Sequence, residues 1–252
     1  MFPVINLGPL AIQSFGLILL ISIWAGLSWS EKHAARHNIQ ADLIFTIFFL
    51  VVVASFLGAR IGYVLLHVEL FSAQWLDGLA LNLRMMDWPT GILIGGLTLL
   101  IYLQRKKIPL WNYLDSMIPF FLVFNAAFAL ATFANQTAIG AETQLPWGML
   151  IYEKIRHPVQ VYHMIIAAAL ILIYWPNRMK VLGISLTDMK PGGLFNHFLI
   201  LYTMGITIVQ TFRAEYPVVF TRINSYHFIG LFVLIFALWQ SYQRIRFVGE
   251  ND

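Results

Sequence analysis

No cysteine occurs anywhere in the 252 residues. Disulfides, thiol nucleophiles and cysteine-ligated metals are therefore excluded, and the chain has no cysteine to carry a lipid of its own. Charge is scarce too. Only 11% of residues are Asp, Glu, Lys or Arg, against about 25% in soluble domains, while 59% are hydrophobic. Such a composition belongs in a membrane, and this length holds several spans on short loops but no sizeable soluble domain. Residues 1–252 read as a single membrane domain, without internal repeats or low-complexity tracts. Net charge is +4 and no basic run exceeds Arg105-Lys106-Lys107, too little for a nucleic-acid footprint. No apolar stretch carries the acidic residue that a proton-coupled carrier needs. The first stretch, Pro9–Trp29, lacks a basic region before it and a small-residue cleavage site after it, so it reads as a retained span and not a signal peptide.

What the chain does have is apolar runs near the ~20 residues that a bilayer-spanning helix needs. They are Pro9–Trp29, Leu43–Leu66, Trp88–Leu103, Ser116–Asn135, Pro158–Trp175, Leu194–Phe212 and Tyr226–Tyr242. The expectation is an all-α integral membrane protein of seven transmembrane helices. Alternate loops sort by charge: Lys32, Arg36, Arg105, Lys106, Lys107, Arg178, Lys180, Lys190, Arg244 and Arg246 on one side, and Arg84, Lys154, Arg156, Arg213 and Arg222 on the other. The positive-inside rule puts the first set in the cytoplasm, with the N-terminus outside and the C-terminus inside. On the outer side, Phe71–Leu79 has apolar residues at roughly helical spacing. It reads either as an amphipathic segment at the membrane surface or as a loop packed on the bundle.

Polar groups at membrane depth are the candidate site residues. Arg60 sits well inside the second run, where a guanidinium costs ~2.5–3.5 kcal/mol on insertion scales. It either faces the bundle interior, suited to a phosphate, or snorkels to the headgroups; Tyr63 shares its face. Arg156-His157-Pro158-Val159-Gln160-Val161-Tyr162 marks a helix start at headgroup level. Gln160 and Tyr162 point in different directions, so they do not both line one narrow cavity. His163, His197 and His227 lie in or near spans without a carboxylate on their own helix and show no metal-ligand spacing. They read as packing residues, with His163 or His197 the alternatives for a base. Asn125, Asn135, Gln136, Asn196 and Gln210 suit hydrogen bonds between helices.

Three phrases, Gly58-Ala59-Arg60-Ile61-Gly62-Tyr63, Leu145-Pro146-Trp147-Gly148 and Arg156–Tyr162, occur in order and at about the spacing seen in one family. Together with Gly16-Leu17, Arg105-Lys106-Lys107 and Gly193-Leu194-Phe195…Ile208-Val209-Gln210-Thr211-Phe212-Arg213, they make nearly the whole chain resemble the prolipoprotein diacylglyceryl transferases. The resemblance implies a seven-helix fold with a cavity open to lipid. It also implies transfer of a diacylglyceryl group from phosphatidylglycerol to a preprolipoprotein cysteine, with no cofactor and no metal.

The same resemblance exposes departures. The family's histidine before paired glycines falls on Pro89, and its signature block Gly-Arg-Ile-Gly-Asn-Phe-Ile-Asn-Gly-Glu becomes Phe128–Thr137. The arginine of that block lands on Ala129, its first asparagine on Thr132 and its glutamate on Thr137. An arginine and a glutamate of the sixth helix become Ile206 and Gln210, and the first-span tyrosine becomes Phe15. Arg60, Tyr63, Arg156, His157, Gln160 and Arg213 survive as candidates to hold a lipid headgroup. No catalytic residue can be assigned from the family pattern, and apolar slots make an inherited cavity cheaper to fill. The leading expectation is thus a multi-pass protein of the bacterial inner membrane that has lost catalysis. It would serve as an accessory subunit beside other membrane proteins, holding a phosphatidylglycerol-like lipid. The alternative is an active transferase with a rebuilt site, and the third reading is a lipid-binding or transport protein.

Overall fold

The computed structural model describes residues 4–7, 10–71, 80, 82, 84–151, 153–175, 190–214, 218–220 and 223–249. Helices occupy the places where apolar runs were expected: α1 (Ser14–Ala34), α2 (Asp42–Leu66), α4 (Trp88–Arg105), α6 (Ile118–Ala134), α7 (Val159–Tyr174), α8 (Gly193–Gln210) and α9 (Ser225–Gly249). Short helices α3 (Val68–Phe71) and α5 (Leu110–Ser116) join them. By length and composition α1, α2 and α8 can each cross a membrane, and a fourth span results if the adjoining α5 and α6 count as one. α7 and the stretch His227–Gln243 within α9 are apolar but shorter. Leu20, Trp24, Ile92 and Phe232 are 67–73% exposed, an apolar surface that a lipid environment accounts for and water does not.

Helix boundaries follow local chemistry. Asp87 caps α4 by accepting from the Thr90 amide (3.0 Å), with Pro89 in the first turn. Pro119 stands in the first turn of α6, and Gly192 precedes α8 at φ 81°. Pro158 is the residue before α7 and not part of its first turn. The first run begins differently from its expected span. Leu10–Gln13 is a strand, β2, antiparallel to β1 (Val4–Leu7), so the helix starts only at Ser14. In the sequence the dipeptide Gly8-Pro9 between these segments is a turn signal. Two further pairs form, β3 (Met149–Ile151) with β4 (Lys154–Arg156), and β5 (Val218–Phe220) with β6 (Ile223–Asn224). Ser72–Leu79 of the expected surface segment lie outside the described residues; Phe71 ends α3 and is buried.

The chain divides into two compact units, Glu31–Ser116 and the remainder. In the smaller unit α2 packs on α4. The approach is close because glycines line it. A side chain at Gly91 would meet the Ser55 carbonyl oxygen at 2.7 Å and the Ala59 Cβ at 2.8 Å, and one at Gly62 would meet Thr90 at 2.6 Å. At its other end Asn112 Nδ2 donates to the His37 carbonyl (3.0 Å). Burial holds the His37 pKa below its ordinary 6.5; Asp115 opposes this, while His33 and Arg36 push the same way. The folded state therefore binds fewer protons than the unfolded one just below pH 6.5. Stability of this corner is full above that value, falls as pH drops towards the lowered folded pKa, and then levels off. The protection of amides over 35–38 and 110–116, taken relative to the intrinsic exchange rate at each pH, is expected to fall on going from about pH 7.5 to about pH 5.5. In His37→Asn that difference should shrink, and an unchanged difference would exclude His37 as its source.

In the larger unit the core lies between α6, α7 and α8, where Ile118, Leu122, Leu170 and Phe198 are buried against Phe121, Ile166, Tyr174 and Tyr202. Stacked rings Phe121–Phe198 (5.9 Å) and Phe198–Tyr202 (5.7 Å) fill it. α1 is held to α6 through the Ser30 hydroxyl, which accepts from the Phe120 amide (3.0 Å). Gly26 abuts Phe120 at this crossing, where a Cβ would lie 3.0 Å from the Phe120 Cα. Asn196 on α8 donates to the Ala237 carbonyl (3.1 Å) and to Ser241 Oγ (2.6 Å) on α9.

Candidate functional site

The larger unit holds an open cavity of about 460 Å³. Three helices each give it one stripe at three- and four-residue spacing, the periodicity of a single helical face. α6 supplies Asn125, Phe128, Ala129 and Thr132; α7 supplies His163, Ile166, Ala167 and Leu170; α8 supplies Tyr202, Ile206 and Gln210, with Arg213 just beyond its end. Phe15 of α1 closes one wall, its ring edge-on to Phe128 at 6.0 Å. Asn135, Thr137 and Ala138 close another.

That last wall depends on a turn made with two left-handed residues, Gln136 (φ 54°) and Ala138 (φ 64°). Such a conformation is uncommon outside glycine, above all for alanine, and costs on the order of 1–3 kcal/mol. It persists because its neighbours hold it. The Thr137 amide donates to the Thr132 carbonyl (3.1 Å) and the Gln160 side-chain amide donates to the Thr137 carbonyl. Beyond the turn, Ala141 N donates to Phe212 O (2.8 Å) and Ala214 N to Ile139 O (3.0 Å). Gly140 thus pairs with Arg213, and His157 N closes on Ala141 O at 2.9 Å. A Cβ on Gly140 would sit 2.0 Å from the His157 carbonyl oxygen, so only glycine fits there.

Of the six candidate headgroup residues, Arg213 lines the cavity. Arg156, His157 and Gln160 brace its surroundings. Arg156 donates through Nη1 to the Gly140 carbonyl (3.1 Å) and approaches Glu142 at 3.7 Å. Glu142 also pairs with Lys154, whose hydrogen bond holds that carboxyl below its usual pKa. The Tyr162 hydroxyl accepts from Trp147 Nε1 (2.9 Å) and meets His157 Nδ1 (3.1 Å), while the His157 ring lies 4.9 Å from Phe212. The Leu-Pro-Trp-Gly and Arg-His-Pro phrases therefore meet as one bracing network. Arg60 and Tyr63 belong to the smaller unit. Arg60 is 5% exposed, donates through Nη1 to the Met85 carbonyl (2.9 Å) and stands over the Phe71 ring at 5.4 Å. That arrangement tethers the stretch before α4 to α2, as does Asp87 N donating to Ala59 O (2.9 Å).

The positions that departed from the family pattern converge. Phe15, Ala129, Thr132, Thr137, Ile206 and Gln210 all line the one cavity; Pro89 lies in the smaller unit. Filling of the cavity by its apolar replacements did not occur. Sequence reasoning passed over Tyr202, although its place one turn before Ile206 and two before Gln210 puts it on the same face of α8. His197, the other candidate base, is absorbed in a contact with the Tyr174 hydroxyl (2.8 Å).

The family model of prolipoprotein diacylglyceryl transferase matches residues 3–242. The chain belongs to the prolipoprotein diacylglyceryl transferase family. Similar proteins include the phosphatidylglycerol–prolipoprotein diacylglyceryl transferases of three bacteria. That of Prochlorococcus marinus (strain NATL1A) is 26% identical over 238 residues, covering 83% of this chain and 77% of the relative. That of Trichormus variabilis is 27% identical over 233 residues, covering 84% and 78%. That of Bifidobacterium adolescentis is 28% identical over 258 residues, covering 91% and 74%. At this distance the chain is a divergent member, and with its apolar helices it is a multi-pass membrane protein.

Proposed function

We propose that this chain is an active transferase, moving a diacylglyceryl group from phosphatidylglycerol to the cysteine thiol of a prolipoprotein. The convergence of the family's chemical positions on one open, part-polar cavity carries the reading. A cavity of about 460 Å³ takes a lipid headgroup with the first atoms of its glycerol. Its phenylalanines and aliphatic side chains suit the acyl ester region, and Arg213, Gln210, Asn135 and Tyr202 suit the phosphate and the terminal glycerol. Relatives across this length of chain carry the transferase name, which favours activity over the accessory role expected from the sequence.

The reading includes seven crossings of a bacterial inner membrane, with the N-terminus outside, the C-terminus in the cytoplasm and the cavity's Arg213 end towards the outer surface. The ten-to-five division of loop cations supports that orientation. Headgroup binding by Arg213 is supported by its place in the cavity wall. For Arg156, His157, Gln160, Arg60 and Tyr63 their bracing contacts support an indirect part.

The second reading is a catalytically silent relative that holds lipid within a larger assembly. Ala129 and Ile206, uncharged groups in the cavity wall, favour it. Purified protein, phosphatidylglycerol vesicles and a lipobox peptide separate the two. Multiple-turnover formation of the diacylglyceryl thioether, seen by mass spectrometry, is the expected result. Retained phosphatidylglycerol with no thioether would establish the silent form.

A further inference from the structure

We propose that His163 is the general base of this chain, accepting the prolipoprotein thiol proton at Nε2; the inference rests on the transferase reading above. Among the described residues the cavity wall contains no carboxylate, and the chain has no thiol. Its ionisable groups are the Tyr202 phenol, the Arg213 guanidinium and the His163 imidazole, and of these a neutral imidazole is the one that offers a nitrogen lone pair to a proton. Nε2 of His163 is buried without a hydrogen-bond partner among the described residues. A buried polar atom left unsatisfied calls for an explanation, and a substrate S–H arriving in the cavity supplies one. The other histidines near this region are committed: His157 to Tyr162 and Phe212, His197 to Tyr174.

The step balances with these groups. His163 in the tautomer protonated at Nδ1 removes the S–H proton through Nε2. The thiolate attacks the glyceryl carbon bonded to the phosphate oxygen, so the S–C bond forms as the C–O bond breaks. Glycerol phosphate departs with the electron pair, and the imidazolium returns its proton to that phosphate or to water. Arg213, in the lining of the same cavity, faces the growing phosphate charge. The base thus stands on α7, one helix away from the positions that the family pattern assigned to charged groups on α6 and α8.

The test uses the full-length protein in phosphatidylglycerol vesicles. His163→Ala and the polar His163→Gln are compared with the unaltered protein on two lipobox peptides. One carries cysteine; the other carries selenocysteine, whose selenol ionises at neutral pH without a base. With the cysteine peptide both variants should fall about 10²–10⁴-fold. Their rates should recover as pH passes the free thiol value of about 8.5, and imidazole should partly rescue His163→Ala. With the selenocysteine peptide the variants should stay within about threefold of the unaltered protein, which also demonstrates that they are folded. Equal losses on both peptides would assign His163 a structural role and overturn the proposal. So would cysteine-peptide rates within about twofold of the unaltered protein. If the unaltered protein binds phosphatidylglycerol but transfers to neither peptide, the transferase reading itself fails, and the base assignment with it.

Discussion

Gly140→Ala is expected to cost about 3 kcal/mol or more and to abolish any cavity-dependent activity. The added Cβ would lie 2.0 Å from the His157 carbonyl oxygen, 2.9 Å from its carbon and 3.0 Å from its Cβ. No rotamer relieves a clash with a backbone atom. One of the two strands must move. Overpacking of this kind ordinarily costs ~1–3 kcal/mol, and here the movement also pulls on hydrogen bonds that hold the turn. These are His157 N to Ala141 O (2.9 Å), Ala141 N to Phe212 O (2.8 Å) and Arg156 Nη1 to Gly140 O (3.1 Å). Thermal unfolding monitored alongside amide exchange over 139–143 and 210–214 reads the effect. A midpoint within about 2 °C of the unaltered protein would show that the two segments are not held together through Gly140.

Arg213→Ala is expected to lower diacylglyceryl transfer by roughly 10²–10³-fold, about 3–4 kcal/mol of transition-state stabilisation. Arg213 lines the cavity together with Gln210 and Ile206. Two positions that would share its work in the family pattern are Ala129 and Ile206, which hold no charge. The loss should fall mainly on kcat, because phosphate charge grows only as the C–O bond breaks. Arg213→Lys should recover part of the rate, since a lysine keeps the charge but loses the planar two-point geometry. The strand-like contact of Arg213 with Gly140 and the bond from Arg213 N to Gln210 O use the backbone and are available to both variants. A loss below about threefold in kcat/KM would remove Arg213 from the chemistry.

The helical elements were legible because each depends on its own residues. Apolar runs of sufficient length, Asp87 ahead of α4, Pro119 in the first turn of α6 and Gly192 ahead of α8 act within a few residues of the helix they shape. The face of α8 that reaches the cavity was read only in part: Ile206 and Gln210 stood out through the family pattern, while Tyr202, at the same four-residue spacing, did not. The small strands were not. Three residues such as Lys154–Arg156 are too short to show an alternation, and their pairing with Met149–Ile151 and with Glu142 depends on partners that local propensity does not name. Arg60 illustrates the same limit. Its burial was one of two readings left open, and its partner is the backbone carbonyl of Met85, twenty-five residues on, an acceptor that every residue possesses and no residue type announces.

By itself the sequence determined a helical membrane chain and, through phrases such as Arg156–Tyr162, its family. It also determined which charged groups are missing, because the absence of a side chain cannot be repaired by folding. Only the tertiary structure decided that Phe15, Ala129, Thr132, Ile206 and Gln210 surround one open cavity, and that His163 rather than His197 shares it. The reason is geometric. Whether two side chains separated by tens of residues meet depends on the rotation and approach of their helices. Those are set by packing summed over whole faces, such as the Phe121–Phe198–Tyr202 stack and the contact of Gly26 with Phe120.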